Sequence, residues 1–240
     1  MALSADALAA HLLPLLAGLV TVAGLIAAAL WRRGAPSATT KAVIVVLAAS
    51  LFTVLAAMPA AMVDWDRRLA DAMRTHVTPP QLDAAFAITQ LGNFQTLVAV
   101  GVIVALGLAA RRCWSDLALW LAVTAGNGLL NRTLKLGFER LRPLHDHGLV
   151  FEPAFSFPSG HASGSLAVYG LLTALLLPRL PPAARLPLLL ATVALVLLIG
   201  ASRVILQVHF LSDVIAGYAS ATVLLVGGHA LRESLRRRPW

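Results

Sequence analysis

Three short segments of this 240-residue chain hold residue types that can act together on a phosphate group. They are Lys135-x6-Arg142-Pro143, Pro158-Ser159-Gly160-His161 and Ser202-Arg203-x5-His209-x3-Asp213. Lys135, Arg142 and Arg203 all lie beside apolar runs, and cations near membrane depth are costly unless a counter-charge meets them. Glu139 follows Lys135 by four residues and could pair with it on a continuing helix, which leaves Arg142 and Arg203 for a phosphate. Ser159 and Gly160 directly precede an apolar run, where a helix N-terminus would present unpaired N–H groups and a positive dipole to an anion. Gly160 lets the backbone approach closely, and the Ser159 hydroxyl adds a donor, although a serine here also serves simply as an N-cap.

His209 and Asp213 are four residues apart, a spacing that puts them on one face of a helix. The carboxylate would then fix the imidazole tautomer and leave the other ring nitrogen with a lone pair aimed at phosphorus. Taken alone, the pair is more often a satisfied polar contact than a catalytic one. Two histidines and three cations together point to phosphoryl transfer through a covalent phosphohistidine. In that scheme His209 attacks in line, while His161 protonates the leaving oxygen and later activates water. Lys135, Arg142, Arg203 and the amides of Ser159 and Gly160 hold the equatorial oxygens. The chemistry calls for no metal and no cofactor.

The elements that must position these residues are membrane helices. Hydrophobic residues make up 59% of the chain and charged ones 12%, and the mean hydropathy is +0.81, which excludes disorder, a coiled coil and an ordinary cytosolic globule. The apolar residues gather at 12–31, 42–63, 94–110, 117–136, 162–177, 186–205 and 214–231, runs comparable to the roughly 20 residues that cross a bilayer. The expected fold is all-α and polytopic, with the fifth run short for a full crossing. The first run lacks a basic leader and is read as a retained helix rather than a cleaved signal. Between the second and third runs, Trp65, Leu69, Ala72 and Met73 recur at helical spacing among charged residues. This marks an interfacial helix, read as a connector in preference to a lid. The stretch 178–187, rich in proline, reads as a tight turn.

Cytoplasmic loops retain Lys and Arg, which sets the orientation. Of the nineteen basic residues, eleven fall on one side: Arg32, Arg33, Lys41, Arg111, Arg112, Arg179, Arg185, Arg232, Arg236, Arg237 and Arg238. That side is expected in the cytoplasm. The phosphate-handling segments then lie on the other, together with Arg67, Arg68, Arg74, Arg132 and Arg140. The net charge of +8 is accounted for by this topology, and no aromatic-interleaved basic face suggests nucleic acid. Cys113 is the one cysteine and can form no internal disulfide.

The three segments fill all eleven specified positions of a known signature, and on them the chain resembles the type 2 phosphatidic acid phosphatase superfamily. That resemblance implies a six-helix membrane core, a metal-independent mechanism and an active site at the outer membrane face. It also implies a substrate such as a polyprenyl diphosphate, phosphatidylglycerol phosphate or phosphatidate. The six helices are placed from residue 42 onward, so that 1–41 forms an extra N-terminal transmembrane helix with a basic loop. The phosphatase domain is then 42–231 and the basic tail 232–240. A bacterial cell membrane is the expected location, with the bilayer and a lipid phosphate as partners and the oligomeric state open. A phosphotransferase with a non-water acceptor and a non-catalytic lipid-binding or transport protein are the alternatives. His145-Asp146-His147 is read as a substrate-facing loop rather than a metal site. Asn127, Asn131 and Arg132 are read as support, His11 and His229 as helix-end residues, and 217–221 as close helix packing.

Overall fold

The computed structural model describes residues 36–236 apart from 59, 146, 151, 153 and 154. The expected extra helix at 12–31, together with His11, Arg32, Arg33, Arg237 and Arg238, lies outside the described residues. Every regular element among the described residues is a helix, and the described residues between 139 and 159 form an irregular loop. Helix α1 (Ala38–Ala56) begins at Ser37, whose hydroxyl accepts from the Thr40 amide. Next come α2 (Ala60–His76), α3 (Pro79–Thr89) and α4 (Phe94–Ala110), then α5 (Trp114–Phe138), α6 (Gly160–Arg179), α7 (Pro182–Ile205) and α8 (Leu211–Arg236). Five stretches are long and apolar enough to cross a bilayer: α1, Pro79–Ala110, α6, α7 and α8. Helix α5 has 25 residues, but Asn127, Asn131, Arg132 and Lys135 dilute its apolar character. The chain is a multi-pass membrane protein.

Several boundaries differ from the sequence expectation, each for a local reason. The run 42–63 stops as a helix at Ala56 because a proline at 59 keeps the residue before it out of the α region, so Val63 belongs to α2. The run 94–110 is preceded by α3 and a 3₁₀ turn, Gln90–Gly92, so the apolar stretch starts at Pro79. Pro79 and Pro80 suit a first helical turn, and the Gln81 side chain accepts from the Thr78 amide. The proline-rich turn is confined to Leu180 and Pro181, since Pro182 opens α7 and Pro187 lies inside it. The fifth run reaches Arg179 and is the most enclosed of the five spans. It contains a π-helical turn at Leu166–Gly170.

Helix α8 packs along α1 and against α5 and α6, while α7 packs on α3. The central core is Leu119, Trp120, Val123, Ala167, Val168, Leu171 and Leu175, with the Trp120 indole donating to the Gly101 carbonyl at 3.0 Å. A second cluster joins Leu69, Ala72 and Met73 of α2 to Ala162, Val204 and Val214. The reading of α2 as a mere connector is therefore corrected. Its apolar stripe is buried against the helix ends next to His161, Arg203 and Asp213, and Asp66, only 3% exposed, is buried with it. Gly217 is required for close packing: a Cβ there would come within 2.6 Å of the Ser159 carbonyl oxygen.

Candidate active site

All eight residues singled out by the sequence gather at one end of the bundle. Lys135 is in the last turn of α5 and Arg203 in the last turn of α7, where a cation meets the negative end of the helix dipole. Ser159 caps α6, its hydroxyl accepting from the Ala162 amide at 3.4 Å, and Gly160 and His161 form the first turn. Asn131 donates to the Pro158 carbonyl at 3.2 Å and Asn127 to the Ser163 hydroxyl at 3.3 Å, so α5 braces this cap from the side. His161 packs beside Gly92, where any side chain would run into Ile199 and crowd the imidazole. The charges of Arg203, Arg142 and Lys135, and the His209 ring, all lie close enough to act on His161.

His209 is not on a helix with Asp213. It sits in the turn between α7 and α8, and Asp213 is in the first turn of α8. The turn itself makes them meet. The Arg203 carbonyl accepts from both the Val208 and His209 amides, at 3.1 and 3.3 Å, while Gln207 takes the left-handed conformation at φ +53°. Asp213 Oδ2 accepts from the Phe210 amide at 2.9 Å and faces His209 Nδ1 at 3.4 Å, without a hydrogen bond between them. On the other side of the ring, Nε2 lies 3.2 Å from Arg142 Nη1. A guanidinium only donates, so Nε2 carries the lone pair and the ring proton belongs on Nδ1, facing Asp213. Burial first, and then the cations Arg142, Arg203 and Lys135, hold the His209 imidazole well below its usual value.

The expected counter-charges are corrected. Glu139 closes α5 in a left-handed conformation at φ +47°, and Lys135 instead donates to the Phe155 carbonyl. Arg142 and Arg203 share Glu152. Its Oε1 is 2.5 Å from Arg203 Nη2 and its Oε2 is 3.5 Å from Arg142 Nη2. Arg203 also donates to the Thr89 hydroxyl at 2.8 Å, and Arg142 to the Val208 and Phe155 carbonyls at 2.6 and 3.2 Å. The two guanidiniums thus grip one carboxylate in a way that would equally suit two phosphate oxygens.

The sequence reading missed Glu152 and a second set of residues behind Asp213. Arg140 Nη1 is 2.7 Å from Asp213 Oδ1, and its Nη2 is 3.0 Å from Asp66 Oδ2. Asp66 carried a signal, because it shares a helical face with Leu69 and Met73 and so falls on the apolar stripe of α2. Glu152 carried none, being an acid in an irregular loop.

This geometry can be set beside known proteins. The sequence model of the PAP2 superfamily matches residues 116–237. Phosphatidylglycerophosphatase B of Bacillus subtilis is 36% identical over 154 residues, which is 62% of this chain and 74% of that protein. Lipid A 1-phosphatase of Rhizobium etli is 38% identical over 102 residues, covering 39% of this chain and 40% of that one. The crystal structure of a transmembrane PAP2 type phosphatidylglycerolphosphate phosphatase from Bacillus subtilis superimposes with a TM-score of 0.73 at 31% identity. It covers 81% of this chain and 98% of that one. The chain belongs to the PAP2 superfamily and is one of its membrane phosphatases.

Proposed function

We propose that the chain removes a terminal phosphate from a membrane lipid through a phosphohistidine on His209, using no metal or cofactor. The observation that carries the reading is the setting of the His209 ring. One nitrogen faces a carboxylate and the other, with its lone pair, faces the cations that would hold a phosphate. On substrate binding, Arg142 and Arg203 exchange the Glu152 carboxylate for phosphate oxygens, and Arg142 turns its donor from Nε2 to the incoming group. Nε2 then forms a bond to phosphorus as the bond to the leaving oxygen breaks, with His161 giving that oxygen a proton. In the second half a water oxygen attacks phosphorus, the P–N bond breaks, and His161 takes the water proton. Lys135, Arg142, Arg203 and the Ser159–Gly160 backbone stabilise the charge on the three equatorial oxygens in both steps.

The substrate class is a lipid phosphate or diphosphate, with polyprenyl diphosphate, phosphatidylglycerol phosphate and phosphatidate as candidates. Phosphatidylglycerol phosphate is the first to test, because the relative named for it aligns over most of its own length. We place the site on the extracytoplasmic face of a bacterial inner membrane, in keeping with the gathering of Lys41, Arg111, Arg112, Arg179, Arg185 and Arg232 away from it. The deciding experiment combines turnover of the three lipids in micelles with acid-labile phosphoryl labelling of the protein. His209→Ala is expected to lower kcat by at least about 10³-fold and abolish labelling, while vanadate still binds. Turnover by His209→Ala at the parent rate would overturn the mechanism. Loss of free phosphate when an alcohol acceptor is supplied would make the reaction a transfer.

A further inference from the structure

Behind the proposed nucleophile lies a second buried charge group. Asp213 has no exposed surface, Asp66 is 3% exposed and Ser212 5%. Buried carboxylates are costly unless paired and hydrogen-bonded. Arg140 supplies the pairing for both, one terminal nitrogen to Asp213 and the other to Asp66. It also donates to the Ser212 hydroxyl at 2.8 Å, and its guanidinium lies 4.3 Å from the centre of the Phe210 ring. Asp66 accepts from the Ser212 amide at 3.2 Å and from the Ser212 hydroxyl. A carboxylate from α2 therefore caps the start of α8, the helix that carries Asp213.

The two oxygens of Asp213 are divided between tasks. Oδ1 is held by Arg140, which leaves Oδ2 for the Phe210 amide and the His209 ring. We infer that Arg140 and Asp66 are positioning residues for this reaction, fixing the Asp213 carboxylate so that Oδ2 faces His209 Nδ1. Through Asp66, the amphipathic helix α2 becomes part of the frame of the site. The fork of an arginine is needed, because two carboxylates are met by two nitrogens of one rigid plane, which a lysine ammonium cannot reproduce. The inference rests on the reading of His209 and Asp213 as the working pair.

The test compares Arg140→Gln, Arg140→Lys and Asp66→Asn with Asp213→Asn in the full-length protein. Arg140→Gln is expected to lower kcat about 10- to 100-fold with KM within threefold, and Arg140→Lys to recover part of the loss. Without Arg140 the Asp213 charge is less offset and favours protonated His209. The acid limb of the rate profile therefore moves up by about half a pH unit to one unit. The other charged or titratable groups facing that ring, namely Arg142, Arg203, Lys135 and His161, are unchanged in these variants. Asp66→Asn keeps its shape and its acceptor for Ser212, and is expected to cost less than Arg140→Gln, with the double variant no worse than Arg140→Gln alone. Parent kcat and an unmoved acid limb in Arg140→Gln, beside an inactive Asp213→Asn, would overturn the inference. So would loss of vanadate affinity in parallel with kcat, which would mean general damage. A fully active Asp213→Asn would overturn the underlying reading as well.

Discussion

The two ends of the bundle both concentrate charge, and they use it differently. Helices α5, α6 and α8 each carry a group at either end: Lys135 and Asp116, His161 and Arg179, Asp213 and Arg232. These pairs are eighteen or nineteen residues apart, about 27–29 Å along a helix. At the end away from the site, Asp116 takes Arg179 at 2.6 Å and also Arg232. Lys41 meets Glu233 at 2.5 Å, tying α1 to α8. The Arg179 side chain is 48% exposed, so water or headgroups share in its solvation. At the site end, the Arg203 side chain is 1% exposed and that of Arg142 11%, and among the described residues the Glu152 carboxylate stands between them. One cluster is a clamp with a route to solvent, and in the other two buried guanidiniums share the Glu152 carboxylate beside Lys135. The first suits holding helices together and the second suits receiving an anion.

That contrast can be broken by exchanging the roles. Arg203→Ala is expected to lower kcat/KM by about 10²- to 10³-fold, as for loss of a donor to a developing oxyanion. Asp116→Asn is expected to leave the turnover of folded protein within twofold while lowering unfolding stability by about 1 kcal/mol, because two solvent-accessible cations lose their shared carboxylate. Kinetics and detergent-resistant thermal melts on both variants decide it, and a reversed pattern would erase the distinction. A smaller effect is expected at Glu152. Glu152→Gln removes the resident competitor for Arg142 and Arg203 and should tighten vanadate inhibition about 10-fold. Weaker inhibition would mean that the carboxylate helps to bind the anion. The smallest shift concerns pH. Since burial and neighbouring cations hold His209 below its usual value, the acid limb of kcat/KM should fall below about pH 6.5. Two substrates with different phosphate pKa values would separate this limb from substrate ionisation.

The helices and the chemistry were legible in the sequence to different depths. Apolar runs identify spans because a chain in lipid has few other ways to satisfy its backbone, and the start of α4 at Phe94 and the end of α7 at Ile205 fall where the runs predict. The break after Ala56 and the early start at Pro79 depend on prolines whose effect competes with hydropathy, and hydropathy alone misplaces them. Ser159, His161, Arg203 and His209 are recognisable from type and spacing. The route by which His209 reaches Asp213 is not, because spacing of four suggests a helix face and the turn at Gln207 has no glycine to advertise it. Glu152 and Arg140 escape for another reason. Their importance lies in what they touch across the fold, and neither loop position nor charge reveals those partners.

The π-helical turn at Leu166–Gly170 lies between the two ends of α6. Such a turn carries one residue more than the α-helix it interrupts, and each residue advances the helix by about 100°. His161 above it and Arg179 below it are therefore phased relative to each other by a single surplus position. Deleting one residue there would restore an unbroken spiral, yet it would rotate one end against the other. Either the imidazole would leave the cluster of His209, Arg142 and Arg203 or the guanidinium would leave Asp116.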